Sequence, residues 1–189
     1  MVIKMIKVIA FDLVGVLVKE INSPLNEIES KIERLFGPNI SDMEFIDIVK
    51  KNIIDTSGEE IIEIANKIIN SIYSIKLSLH DLKILKGKYH NIKLVVATNH
   101  LSFVHDYILK TFRNVFDKIY ISANINAIKP NKEFYSYILA DLDITPQEML
   151  FLDDSEKNII GAKKCNIQTI HITKDTDIVK EIENYLEKN

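Results

Sequence analysis

The chain has 189 residues, 24 Lys+Arg against 27 Asp+Glu for a formal net charge of −3, 47% hydrophobic residues, and only five Gly and four Pro. This composition suits one compact domain with room for a small inserted lobe and excludes disordered, collagen-like and low-complexity chains. The slightly acidic balance speaks against a nucleic-acid partner, and no apolar stretch is long enough to span a membrane.

In chain order, Val8-Ile9-Ala10-Phe11 is a short apolar run that stops at Asp12. It lacks a small-residue cleavage site, so it reads as a strand and not as a signal peptide. With the single cysteine, Cys165, offering no internal disulfide, a cytoplasmic protein is expected. Residues 20–90 show no strand run but several amphipathic helical stretches. The clearest is 59–75, where Ile61, Ile62, Ile64, Ala65, Ile68, Ile69 and Ile72 form a broad apolar stripe. Strand-like runs resume at 94–97, 118–121, 149–152 and 167–172, and helical spacing at 101–112, 132–142 and 156–165. Pro130 and Pro146 fall near helix starts, where a missing N–H costs nothing.

Short apolar runs without strict alternation describe strands buried on both faces. Their alternation with helices predicts an α/β fold, a doubly wound parallel sheet, with residues 1–19 and 91–189 forming the core and 20–90 an inserted helical lobe. Ligands of such sheets bind beyond the carboxyl ends of the strands. Asp12, Thr98-Asn99 and Asp153-Asp154 sit there, and Lys129 follows in a loop. Clustered carboxylates repel one another unless a cation neutralises them, and hard oxygen ligands favour Mg²⁺. A hydroxyl, backbone N–H groups and an ammonium beside that metal would clamp an anion, which together describes phosphoryl transfer to Asp12.

The set FDLVGVL (11–17), VVATN (95–99), IKP (128–130) and LFLDDSEKN (150–158) resembles the four motifs of the haloacid dehalogenase (HAD) superfamily, in order. The resemblance implies a HAD-like Rossmannoid core with a C1-type helical cap, and 94–172 is particularly similar to small sugar-phosphate phosphatases. It implies Asp12 as nucleophile and Thr98 and Lys129 as donors to the phosphoryl oxygens, with Asn99 supporting that phosphate-binding loop. It further implies that Asp12, the Val14 carbonyl and Asp154 hold Mg²⁺, with Asp153 as ligand or as holder of a metal-bound water. Gly15 falls where the chain turns into a mobile flap. The implied substrate is a small phosphorylated metabolite.

One position departs from the pattern. Val14 stands where the resembled phosphatases carry a second Asp, which protonates the leaving alcohol and then deprotonates the attacking water. A positioned acid/base contributes about 10²–10⁴-fold. Three outcomes stay open: turnover with a borrowed group, a catalytically impaired metal- and phosphate-binding regulator or scaffold, or a phosphoenzyme that decays slowly. The acidic pair speaks against dehalogenation. It comes too late in the chain for a receiver-like domain, and no insert lysine is distinguished as a phosphonate-cleaving imine former. Ser155 and Asn158 are expected to cap the following helix, His100 to be a partly exposed loop residue, and Cys165 to be core. His80, His90, His105 and His171 lack zinc-ligand spacing.

Overall fold

A computed structural model describes residues 5–37 and 41–188. Residues 1–4 and 189 of the expected core and 38–40 of the expected insert lie outside the described residues. The central sheet contains β1 (Val8–Phe11), β4 (Lys93–Thr98), β5 (Lys118–Ile121), β6 (Met149–Asp153) and β7 (Gln168–His171), all parallel, in the order β5-β4-β1-β6-β7. β1 is central, so its end lies between those of β4 and β6. A separate antiparallel ribbon joins β2 (Val18–Glu20) to β3 (Tyr73–Ile75).

The strands are buried on both faces, and side-chain alternation divides them between two cores. Ile9, Phe11, Leu94, Val96, Leu150 and Leu152 point to one face, where they join α4 (Leu79–Lys88), α5 (Val104–Phe112) and α9 (Ile178–Lys188). Val8, Ala10, Val95, Ala97, Met149 and Phe151 point to the other, against the short α6 (Ser122–Ile125), α7 (Lys132–Leu142) and α8 (Glu156–Lys164). The first core continues into the inserted segment through Ile61, Ala65, Ile68, Ile69 and Ile72 of α3 (Gly58–Ile72). The inserted helices therefore share a core with the sheet.

Local chemistry sets the helix starts. The Asn26 side chain accepts from the Glu29 N–H while the Glu29 carboxylate receives the Asn26 N–H, a reciprocal cap on α1 (Glu27–Glu33). Ser41, Ser57 and Ser78 cap α2 (Asp42–Asn52), α3 and α4. Within the expected insert, α4 reaches the sheet layer: Lys86 Nζ donates to the Val115 carbonyl at 2.7 Å, and Lys88 pairs with Glu183 of α9 at 2.7 Å.

Three expectations change here. The helical stripe does not run to residue 75; α3 ends at Ile72, and Tyr73–Ile75 turns extended because it pairs with β2. That ribbon also supplies strand structure to a region read as helical alone. α5 starts at Val104 instead of 101, because the Ser102 N–H and hydroxyl both bond the Asp42 carboxylate at the start of α2. Neither pairing leaves a periodic signal in a three-residue stretch.

Candidate active site

Asp12 follows the last residue of β1, and its N–H donates to the Leu152 carbonyl at 2.9 Å, fixing it against β6. Its Oδ1 receives the Leu13 N–H at 2.7 Å and the Lys129 ammonium at 2.8 Å. Asp153 ends β6, and its Oδ2 receives the same ammonium at 2.8 Å. One lysine thus bridges two carboxylates, and all three side chains are almost fully enclosed. Oxygens of Asp12, Asp153 and Asp154 lie within 4.8 Å of one another. Residues at opposite ends of the sequence converge because β1 and β6 are neighbours in the sheet.

The three carboxylates have different surroundings. Asp153 also accepts from the Ser155 N–H at 2.8 Å and from Asn158 Nδ2 at 3.1 Å on both oxygens, so its lone pairs are committed to protein donors. Among the described residues, Asp154 has no ion-pair partner, and its carboxylate lies against the backbone of Gly15. A Cβ built on Gly15 would fall 2.1 Å from Asp154 Oδ2, and Gly15 has φ +86°. Glycine is required there by both the space and the conformation.

The loop 12–17 is held at several points. The Gly15 N–H donates to the Val18 carbonyl at 2.7 Å, and Leu17 and Val18 N–H groups both donate to the Leu13 carbonyl at 2.9 Å. Lys76, just beyond β3, donates its ammonium to the Gly15 carbonyl at 2.6 Å and to the Thr173 carbonyl at 3.3 Å.

Thr98 ends β4 and is buried. Asn99 does not face outward; Nδ2 donates to the Lys129 carbonyl and Oδ1 receives the Lys129 N–H, both at 2.9 Å. The loop carrying Lys129 is pressed from the other side by α8, where a Cβ on Gly161 would meet the Pro130 carbonyl oxygen at 2.5 Å. The Lys129 ammonium lies 5.5 Å from the centroid of the Phe151 ring.

Burial dominates the proton affinities. It pushes the Asp12 carboxyl up to about 7, with Lys129 pulling it down and Asp153 adding to the rise. Burial, then the charge on Asp153, raises Asp154. For Lys129, burial opposes the ammonium, but Asp12 and Asp153 outweigh it and raise its pKa. One ammonium between two carboxylates, with a third close by, leaves excess negative charge. A divalent cation with oxygen ligands fits that donor set.

This order of groups at one end of a parallel sheet has a family counterpart. A sequence profile described as haloacid dehalogenase-like hydrolase matches residues 9–172. The chain belongs to that family. Its fold is that of a HAD-like family hydrolase from Porphyromonas gingivalis, with a TM-score of 0.74 at 20% identity over 98% of this chain and 100% of that one. It is also that of an Asp-to-Ala mutant of a HAD family enzyme from Bacteroides thetaiotaomicron in complex with magnesium and inorganic phosphate. That likeness has a TM-score of 0.71 at 23% identity over 91% of this chain and 96% of that one. Curated relatives include a D-ribitol-5-phosphate phosphatase of Bacteroides thetaiotaomicron, 29% identical over 73 residues that make up 39% of this chain and 35% of that protein. A sesquiterpene phosphatase of Aspergillus oryzae is 35% identical over 60 residues, 32% of this chain and 31% of that protein. The match thus spans about a third of the length of each of these two curated relatives.

In this HAD-like hydrolase the side chains of Asp12, Lys129, Asp153 and Asp154 converge at one end of the sheet. The structure corrects three side-chain readings. Ser155 occupies the N-cap position of α8 without a side-chain bond, and Asn158 turns back to hold Asp153. His100 is buried, not partly exposed, within a group of aromatic rings from Phe36, Tyr73 and Phe103. Cys165 is only partly buried. Sequence reasoning missed Lys76 and Tyr73, whose partners are 61 and 27 residues away. Asn158 carried a usable signal, since it lies one helical turn beyond the acidic pair.

Proposed function

We propose that the chain is a Mg²⁺-dependent phosphatase acting on a small phosphate monoester through an aspartyl phosphate on Asp12. The observation that supports it is the convergence of three carboxylates within 4.8 Å around a buried lysine at the ends of β1 and β6. Asp12, the Val14 carbonyl and Asp154 would hold the cation, and Asp153, saturated by Lys129, Ser155 and Asn158, would orient the cluster and any water beside it. The cation supplies charge neutralisation for the phosphoryl group when bound.

In the first step an Asp12 oxygen attacks phosphorus and the bond to the leaving oxygen breaks. In the second, water attacks phosphorus and Asp12 departs as a carboxylate. Lys129 and the Thr98 hydroxyl donate to the phosphoryl oxygens, and Asn99 fixes the Lys129 backbone so that its ammonium is placed before substrate arrives. Residues 20–90 serve as the cap that excludes water and selects the substrate, with α4 as its foot on the sheet. The phosphatases of sugar and terpenoid esters among the relatives support an organic phosphate of modest size.

Hydrolysis of p-nitrophenyl phosphate with Mg²⁺, abolished by Asp12→Asn, is the expected result. An aryl leaving group departs without much protonation, so it tests the nucleophile independently of position 14. Absence of turnover across aryl and alkyl phosphates, with Mg²⁺-dependent phosphate binding retained, would favour a second reading: a binding or regulatory protein. Val14 is the observation behind that reading, since its isopropyl group moves no proton.

A further inference from the structure

We infer that Lys76 is a positioning residue for the cation site, holding the Gly15 backbone so that the Val14 carbonyl and the Asp154 carboxylate keep their places beside Asp12. This rests on the phosphatase reading above and ties its metal site to the inserted segment.

Lys76 is the first residue after β3, where the chain leaves the ribbon. Its N–H donates to the Leu17 carbonyl at 2.9 Å, and the Leu77 N–H donates to the same oxygen at 3.1 Å. The backbone is thereby docked on the far end of the 12–17 loop. The half-buried side chain turns back to the middle of that loop, where the ammonium donates to the Gly15 carbonyl at 2.6 Å. The ammonium also reaches the Thr173 carbonyl, just after β7, at 3.3 Å. One residue of the insert thus joins the loop after β1 to the segment after β7.

Gly15 is where that grip matters. Its N–H donates to the Val18 carbonyl at 2.7 Å. The Val14–Gly15 peptide is trans, so the Val14 carbonyl points opposite to that N–H, away from Val18. This is the carbonyl assigned to the cation above. The next peptide unit is held by Lys76 through the Gly15 carbonyl. Between the two units lies a glycine at φ +86°, the residue type with the freest backbone. Without the ammonium, rotation about the Gly15 Cα is restrained on one side only. The Asp154 carboxylate lies against that same Cα, so rotation there changes the spacing between Asp154 and the Val14 carbonyl.

Charge alone predicts the reverse effect. The Lys76 ammonium is one of the groups that lower the proton affinity of Asp154, after burial and the charge on Asp153 raise it. A positive charge that repels a proton from Asp154 also repels Mg²⁺. Removing it would tighten Mg²⁺ binding if charge were its whole effect, and weakens Mg²⁺ binding if Lys76 holds the loop. The sign of the change separates the two.

The test titrates Mg²⁺ alone into the native chain and Lys76→Met by calorimetry, and follows the Mg²⁺ dependence of p-nitrophenyl phosphate hydrolysis in both. Methionine keeps most of the stem and loses the donor. Lys76→Met is expected to raise the Mg²⁺ Kd by about tenfold to a hundredfold, the usual loss when a group behind a metal ligand is removed. Saturating Mg²⁺ is expected to bring kcat back close to the native value, which damage to the fold at large would not allow. Lys76→Arg keeps a charged donor and is expected to recover most of the affinity. Lys88→Met removes another tie of the insert, the 2.7 Å pair with Glu183, and should leave Mg²⁺ affinity unchanged. Unchanged or tighter Mg²⁺ binding in Lys76→Met, an equal loss in Lys76→Arg or Lys88→Met, or a kcat deficit that excess Mg²⁺ leaves in place would overturn the inference while the phosphatase reading stands. A native chain that neither binds Mg²⁺ nor hydrolyses the ester overturns both.

Discussion

Asn99 and Lys129, 30 residues apart, are joined by two reciprocal hydrogen bonds of 2.9 Å between the Asn99 amide and the Lys129 backbone. This pairing makes the end of β4 and the loop before α7 one rigid unit, and it sets where the ammonium emerges between Asp12 and Asp153. Asn99→Ala is expected to lower kcat for p-nitrophenyl phosphate by about tenfold to a hundredfold, the scale on which small misplacements are felt. Asn99→Asp turns the donor to the Lys129 carbonyl into an acceptor, and steady-state kinetics should show a loss at least as large.

Lys129 is the only lysine paired with both enclosed carboxylates among the described residues. Lys129→Met leaves two buried charges without their partner, an error that typically costs about 3–5 kcal/mol. Urea unfolding in the absence of divalent cations measures it, and turnover should disappear with the ammonium.

A cation that binds only the folded chain stabilises it by mass action, about 2.7 kcal/mol at a hundredfold excess over Kd. Mg²⁺ should raise the thermal midpoint of the native chain, and EDTA should reverse the rise and abolish turnover. Asp154→Asn should remove the Mg²⁺ response while leaving the metal-free protein at least as stable, because one of three neighbouring carboxylates has lost its charge. Gly15→Ala should remove the response too, since its Cβ falls on the Asp154 carboxylate.

His100 gives the fold a sensitivity to acid. Burial lowers its pKa from 6.5 to about 4, so between those values the unfolded chain binds a proton that the folded chain refuses. The stability is complete above pH 6.5, falls as pH drops through that window, and by pH 4 has lost about 3 kcal/mol from this residue. In His100→Gln the difference between urea stabilities at pH 7 and pH 4 should be smaller by about that amount.

Val14→Asp places a carboxyl where the resembled phosphatases have one. The substitution supplies the acid/base group that Val14 lacks, and should raise ethyl phosphate turnover by about 10²-fold or more while changing p-nitrophenyl phosphate turnover far less. Steady-state kinetics on the two esters, native chain against variant, read this directly.

The strand ends were legible in the amino-acid order because fully buried strands read as apolar runs and polar residues mark where they stop. Phe11 to Asp12, Ala97 to Thr98 and Leu152 to Asp153 are such junctions, and a parallel sheet gathers them at one edge. Lys132–Leu142 was legible for a similar reason, with strong helical spacing after Pro130. The β2–β3 ribbon was not, since three residues on each side pair across more than fifty intervening positions.

Sequence by itself determined the family, the four motifs at the sheet edge and the missing carboxyl at position 14, because residue identity and short-range order carry that information. Only the tertiary structure decided that Asn99 serves Lys129, that Asn158 holds Asp153, that Lys76 grips Gly15, and that Tyr73 meets a buried, neutral His100. Each is a hydrogen bond whose partners are brought within 3.2 Å by packing. Polar side chains on helices and loops can point in many directions, and burial selects the one in which their donors and acceptors are satisfied.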